Sequence, residues 1–412
     1  MYVMRLSKLF TKTRREAPSD ETSKNAQLLI RGGFINKEMA GVYDYLPLGL
    51  RVIKNIEEII RKEMNSVGGQ EVLMSSLQRS EIWKTTNRWE NIDSWFKTQL
   101  KEGGDLGMAF THEEPITQMM EQFVLSYKDL PVYVYQFQNK FRNEARAKSG
   151  IMRTREFIMK DLYSFSKSQE EHQRFYDQVT DAYKRIFEKV GIGHITYLTR
   201  ASGGSFSKFS HEFQTLSEAG EDTIYLNPDI GVAINSEIID EPTAFENIDA
   251  DRSTFKERKS IEVGNIFSLG TKFSEPLLCR FKKEDGEVEN PIMGSYGIGL
   301  GRLMGTIAEV LSDEKGLVWP DSVAPFLHHL VEIPSNDPKV KETALRIYEK
   351  LKDSTLYDDR DARAGEKFAD ADLIGIPYQV IVSEKNLLDG KLELKNRRTG
   401  EVSYSTEEEL LK

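Results

Sequence analysis

The chain has 412 residues, enough for two or three domains, and its 39% hydrophobic and 10% aromatic content can fill a sizeable core. A net charge of −10 excludes a generally basic nucleic-acid binder but allows a local basic surface. Cys279 is the only cysteine, which excludes an intrachain disulfide and points to a reducing compartment; the six histidines show no zinc spacing, and no apolar run is long enough to span a membrane.

The N-terminus, MYVMRLSKLFTKTRREAPSD, is basic as far as Arg15 and then acidic. It lacks an apolar signal core, so a first helix or arm is expected there rather than a transit peptide. Residues 47–67 place Leu50, Ile53, Ile56, Ile60 and Met64 on one stripe, the pattern of an amphipathic helix, stopped by Gly68 and Gly69. QEVLMSSL follows as a strand, and EIWKTTNRWENIDSWF as short helix and loop. DLGMAFTHEEPITQMMEQFVLSY reads as a strand into Thr111 and then a helix beginning near Pro115.

Residues 141–161, FRNEARAKSGIMRTREFIMKD, read as a hairpin broken at Ser149 and Gly150. Arg142, Glu144 and Arg146 lie on one arm, and Arg153, Arg155 and Glu156 on the other. Ser168 and Glu171 then form a capping box for a helix carrying Phe175, Val179, Tyr183, Ile186, Phe187 and Val190. Residues 203–216 give a glycine turn, a loop and a strand; residues 217–258 are acidic, poorly periodic and expected to be a small excursion. KSIEVGNIFSLGTKFS and NPIMGSYGIGL are two more core strands, the second running into a helix at GRLMGTIAEVL. WPDSVAPF marks a boundary. Beyond it strands and helices alternate, as in a small α/β domain, whereas the first domain is α+β with antiparallel strands.

Three stretches carry the inventory for chemistry. The GSYGIGLGR run lacks the βαβ context of a dinucleotide fingerprint; it is either a tight strand-to-helix turn or a place where a flat ligand lies on glycine backbone under Arg302. THEE, Thr111 to Glu114, either caps a helix or grips an ammonium group. The hairpin arginines either pair with Glu144 and Glu156 or bind phosphate and carboxylate, for which the guanidinium fork is suited.

Taken together and in order, FRNE, RTREF and GIGLGR resemble the second and third signature motifs of class II aminoacyl-tRNA synthetases. YLPLGLRVIKNIEEIIRKEM, THEEPIT, SHEFQTLSEAGEDTI, IEVGNIFSLGTKFSEP, GLVWPDSVAPF and YDDRDARAGEKFADADLIGIPYQVIV narrow this to a resemblance to the prolyl-tRNA synthetases of the compact bacterial type, running from about Met4 to the C-terminus. The resemblance implies an antiparallel catalytic sheet flanked by helices over residues 1–322 and an anticodon-binding α/β domain over 323–412. It implies ATP and L-proline as substrates, Mg²⁺ with the phosphates, tRNA(Pro) as acceptor and a homodimer. A bacterial cytoplasm is the expected location, ahead of an organelle matrix.

Carried residue by residue, the resemblance puts Arg142 on the α-phosphate and the substrate carboxylate. Glu144 would hold the adenine edge, Arg153 and Thr154 the terminal phosphates, and Phe157 one face of adenine, with Arg302 over the other. Glu262 would bind Mg²⁺, with Asn265 beside it in the ATP site. Thr111 and Glu113 would hold the proline imino group, with Met159, His211 and Phe213 around the ring. Arg360, Arg363 and Lys367 are the candidates for reading the anticodon guanines.

Many bacterial members carry an editing domain after SHEFQTLSEAGEDTI. Residues 217–258 are too few for one, so alanine is not expected to be edited in cis, and a separate deacylase would do that work. Ser75 stands where the family's first motif usually has proline, which bears on the dimer interface. The threonyl, seryl, glycyl and histidyl enzymes share the hairpin and last motif, but THEE followed by IEVGNIFSLGTKFS favours the prolyl family. A non-catalytic tRNA-binding paralogue would have lost the phosphate arginines, and this chain keeps Arg142 and Arg302.

Overall fold

The computed structural model describes residues 4–145, 147, 149–203, 209–246 and 248–411; Arg146 of the hairpin lies outside them. The chain packs as two compact units, one of Ala40–Val42 and Glu57–Thr306, the other of Met1–Met39, Tyr43–Ile56 and Ile307–Lys412.

The first unit is built on a nine-stranded sheet. Its strands in chain order are β1 (Gln70–Glu71), β2 (Val132–Phe141), β3 (Glu156–Ser166), β4 (Thr196–Ser202), β5 (Phe209–Leu216), β6 (Asp222–Asn227), β7 (Val232–Asn235), β8 (Lys256–Gly270) and β9 (Ile292–Gly299). Their spatial order is β5-β4-β7-β6-β8-β9-β3-β2-β1. The pairs are antiparallel except β4 with β7 and β1 with β2. β5 also pairs with β8, so β8, β5, β4, β7 and β6 close into a ring. The acidic stretch after β5 is therefore no loose excursion: it supplies β6 and β7. Gly220 makes the turn between β5 and β6 possible, because a Cβ there would sit 2.1 Å from the carbonyl oxygen of Ser260.

One face of this sheet is covered by the helix Gln169–Lys189. Phe175 stacks on Tyr133 with 3.5 Å between ring centroids, and Tyr183 and Phe187 pack on Phe213. At its start the Ser168 hydroxyl accepts from the Glu171 amide, but the Glu171 carboxylate accepts from Lys167 rather than Ser168, so half of the expected capping box forms. Strand alternation on β3 sends Lys160 toward this helix, where it donates to the Tyr183 hydroxyl, and sends Met159, Asp161 and Tyr163 to the other face.

The stripe of the helix Pro47–Ser66 is core at Ile53, Ile56, Ile60 and Met64, while Leu50 is 46% exposed. The run expected as one strand from Gln70 splits. Gln70–Glu71 joins the large sheet, and Leu77–Arg79 joins a separate three-stranded sheet with Lys97–Gln99 and Asp105–Met108. Between them Met74 bonds to side chains instead of a strand: its amide donates to Gln136 and its carbonyl accepts from Gln138. The helix after Thr111 spans Glu113–Met120, starting two residues before Pro115.

The second unit holds a five-stranded sheet of β10 (His328–Glu332), β11 (Thr355–Asp358), β12 (Tyr378–Val382), β13 (Leu392–Asn396) and β14 (Val402–Ser405), in the order β11-β10-β12-β13-β14. The first three are parallel, as the alternation implied, and β13 and β14 add an antiparallel hairpin. The basic N-terminus is an arm. Arg5 bridges to Tyr357, pairs with Asp359 and lies over the rings of Tyr348 and Tyr357. The unit's two longest helices that lie wholly beyond Ile307 are Pro338–Leu351 and Ala364–Ile374. No helix among the described residues is long and apolar enough to cross a membrane.

Candidate functional site

The arginine hairpin is pinned at its base. The Arg142 amide donates to the Arg155 carbonyl, and the Arg155 guanidinium donates to the carbonyls of Ala40 and Glu144. Arg155 is thus consumed by structure. Among the described arginines of the hairpin, Arg142 and Arg153 are the ones that line a cavity.

Both line a cavity shared with Glu144, Thr154, Phe157, Met159, Glu262, Asn265 and Arg302. The site is open partly because of Gly297: a Cβ there would lie 2.8 Å from the Asn265 side-chain oxygen and 3.7 Å from the Met159 sulfur. The Arg142 guanidinium sits 4.8 Å from the ring centre of Phe110 and 5.3 Å from that of Phe157, and its buried Nε has no hydrogen-bond partner among the described residues. Burial, then the charge of Arg302, lowers its pKa; Glu262, Glu113 and Glu144 pull the other way. A guanidinium stays protonated throughout, so the site holds a fixed positive charge with donors to spare.

The remaining charged groups of the cavity are paired. Arg153 donates to Glu144 at 2.9 Å and to Glu221 at 2.8 Å. Arg302 donates to the Glu262 carboxylate at 2.8 Å, and Asn265 donates to its other oxygen at 2.8 Å. Among the described residues no group of three or more His, Cys, Asp or Glu is placed to hold a metal.

Thr111 and Glu113 are buried beside this cavity. The Thr111 hydroxyl donates to one Glu113 oxygen at 2.6 Å, and Ser295 donates to the other at 3.2 Å. Arg88 sits 3.5 Å from Glu113 and 3.0 Å from Glu114. Burial pushes the Glu114 carboxyl up to about 7, against the pull of Arg88 and with Glu113 adding to the rise. Both acids of THEE lie in the first turn of a helix that has no side-chain cap: Glu114 is tied to Arg88 and Thr86, and Glu113 accepts from Thr111 and Ser295.

His211 and Phe213 are not brought to this place. They point to the opposite face of the sheet, where His211 bonds to the Tyr176 hydroxyl and Phe213 packs on Tyr183 and Phe187. The residues that sequence reading passed over are Phe110, Arg88, Ser295 and Phe267, the last paired in register with Ser295. Ser295 and Phe267 lie inside stretches already singled out. A count of two along each strand from Gly297 and Asn265 gives them the same face.

In the second unit Arg363 and Arg15 line an open cavity with Asp361, Glu366 and Asp370. Arg360 is engaged by Asp358 at 2.7 Å and Asp370 at 2.9 Å. Lys367 is 1% exposed and donates to the carbonyls of Glu332 and Asp358, so it does not reach the cavity.

The chain matches a family model described as the class II core domain of tRNA synthetases (G, H, P, S and T) over residues 96–311, and an anticodon binding domain over 329–412. It is 38% identical to a proline–tRNA ligase of Maricaulis maris, covering 98% of this chain and 97% of that one. It is 40% identical to one of Rickettsia bellii, covering 97% and 96%. Its fold is similar to that of prolyl-tRNA synthetase from Cryptosporidium parvum complexed with L-proline and AMP, with a TM-score of 0.75, 17% identity, and 94% of this chain and 73% of that one covered. It is similar to that of the Giardia lamblia enzyme in complex with prolyl-adenylate, with a TM-score of 0.77, 17% identity, and 93% and 75% covered.

Proposed function

The chain belongs to the prolyl-tRNA synthetase family, and from that premise we propose how its own residues join L-proline to tRNA(Pro) at the expense of ATP. The carrying observation is the position of Arg142. Arg142 lines the cavity with Glu262 and Arg302 and also feels the charge of Glu113, which supports one fixed charge serving both a nucleotide and an amino-acid pocket.

The proline carboxylate attacks the α-phosphorus of ATP; a carboxyl oxygen–phosphorus bond forms and the bond to pyrophosphate breaks. The terminal hydroxyl of the tRNA then attacks the activated carbonyl, releasing AMP. A carboxylate is already deprotonated at neutral pH, so the first step needs positioning and charge stabilisation rather than a general base. Arg142 orients the carboxylate and the α-phosphate. Glu113, held by Thr111 and Ser295, accepts from the secondary ammonium, and Met159 and Phe267 wall the ring. Phe157 and Arg302 take the two faces of adenine, with Glu144 at its edge. Arg153 and Thr154 meet the terminal phosphates, which requires Arg153 to leave Glu221.

Glu262 and Asn265 supply hard oxygen donors in the cavity, which suits a Mg²⁺ ion held by one carboxylate and the phosphates. Such an ion neutralises phosphate charge when bound. We place the catalytic domain at residues 1–322 and the anticodon-binding domain at 323–412, with Arg363 the best-placed anticodon contact. Leu73 and Leu77, 78% and 56% exposed on either side of Ser75, support a homodimer through this stretch. Because residues 217–258 are spent on β6, β7 and short turns, alanyl-tRNA would be left to a separate deacylase, in a bacterial cytoplasm.

Proline-dependent ATP–pyrophosphate exchange, run beside alanine, threonine, glycine, serine and histidine, tests the reading. Strong exchange with proline and weak exchange with alanine is the expected result. No exchange with any of them would overturn it.

A further inference from the structure

A buried polar network lies under Thr111 and Glu113 and takes no part in the steps above. His112, between them in the chain, turns its ring into the protein and is fully buried. Its Nδ1 lies 2.6 Å from the Lys140 ammonium and its Nε2 3.1 Å from the Ser75 carbonyl oxygen. Lys140 is also fully buried and donates to Asp161 Oδ2 at 2.9 Å. The same oxygen accepts from Gln136 and from the Tyr163 hydroxyl, each at 2.9 Å. The Tyr163 oxygen in turn accepts from the His112 amide at 3.1 Å.

Donor counting fixes the state of the ring. An ammonium has no lone pair to offer, so Nδ1 must accept from Lys140. Nε2 then carries the hydrogen and donates to the Ser75 carbonyl, which makes His112 neutral and a single tautomer. Burial first, and the neighbouring Lys140 second, push its pKa down to about 4, consistent with that assignment. The peptide that carries Thr111 and Glu113 is thereby held at both ring nitrogens and at its backbone amide.

We infer that Lys140, acting through His112, is a positioning residue for the amino-acid pocket: it sets the orientation of Thr111 and Glu113, and with it the affinity for the substrate ammonium, without touching either substrate. The inference rests on the reading of Thr111 and Glu113 as the amino-acid pocket. A network that merely stabilised the fold would affect proline and ATP alike. One that aims these two side chains acts on proline alone.

The test is the KM for proline and for ATP in pyrophosphate exchange, measured on the full chain. Lys140→Met keeps the aliphatic stem and removes the ammonium. It should raise the proline KM at least tenfold and leave the ATP KM within about twofold. His112→Leu should show the same split. His112→Gln should largely restore the proline KM, because its amide can accept from Lys140 and donate to Ser75. Equal changes in both constants, or an unchanged proline KM in folded Lys140→Met, overturn the inference. Should Lys140→Met fail to fold, Asp161→Asn takes its place and is judged by the same split. Absence of proline-dependent exchange in the unmodified protein would instead defeat the reading of the pocket.

Discussion

Arg302 donates from one nitrogen to both the backbone carbonyl of Glu262, at 3.1 Å, and its carboxylate, at 2.8 Å. The cation proposed to cover adenine and the candidate metal-binding anion are therefore latched together across the cavity. Replacing Glu262 by Ala removes the proposed magnesium donor and the carboxylate half of the Arg302 latch, leaving Arg302 on the backbone carbonyls of residue 262 and Met152. The magnesium concentration for half-maximal exchange should rise several-fold, with a higher KM for ATP and an unchanged proline KM. An unaltered magnesium requirement would take Glu262 out of this role.

Arg142→Ala removes the charge proposed to serve both substrates. Losing a preorganised donor of this kind costs about 2.7–4 kcal/mol of transition-state stabilisation, a drop of roughly 10²–10³ in rate. The guanidinium is held mainly against Phe110 and Phe157, so the variant should still melt cooperatively. Single-turnover adenylate formation measures the loss, and full activity would refute the assignment.

Two neighbouring cations of the second unit should behave differently. Arg363→Ala, at the open cavity, should raise the KM for tRNA in aminoacylation while leaving pyrophosphate exchange unchanged. Lys367→Met strips a buried cation from the carbonyls of Glu332 and Asp358 and leaves the Asp358 carboxylate with less compensation. It should cost on the order of 3 kcal/mol of stability. Thermal melts and tRNA kinetics on the two variants separate reading from packing.

His329 on β10 is fully buried with neither ring nitrogen hydrogen-bonded among the described residues, and burial pushes its pKa down to about 4. The unfolded chain protonates near 6.5, so it binds the extra proton first as pH falls. Stability tied to the neutral ring is complete above about 6.5 and is lost progressively down to about 4, at roughly 1.4 kcal/mol per pH unit. His329→Leu should therefore gain in melting temperature relative to the parent between pH 7 and pH 5. A constant difference across that range would contradict the buried neutral state.

The order of elements was legible because period and punctuation are local. The helix from Pro47, the strands around the hairpin and the parallel strands of the second unit all follow from residues near in sequence. Tertiary facts were not legible. β6 and β7 lack a clean alternation because their partners in the ring bury them from several sides. His211 and Phe213 sit in a stretch that resembles the family's pocket, yet alternation along β5 turns them to the helix-covered face. Lys367 resembles a solvated helix-end charge in sequence, and only the fold shows it turned inward. Arg88 carried no signal, since its partners Glu113 and Glu114 are brought to it by folding.

The ring of β8, β5, β4, β7 and β6 has a colloidal consequence. A sheet invites other chains wherever its outermost backbone groups are unpaired. Here one end of a nine-stranded sheet curls back onto itself, and the strand at the other end is only Gln70–Glu71. The ring end of this sheet thus offers a newly made copy no open strand to add to, which favours dispersal over stacking in a crowded solution.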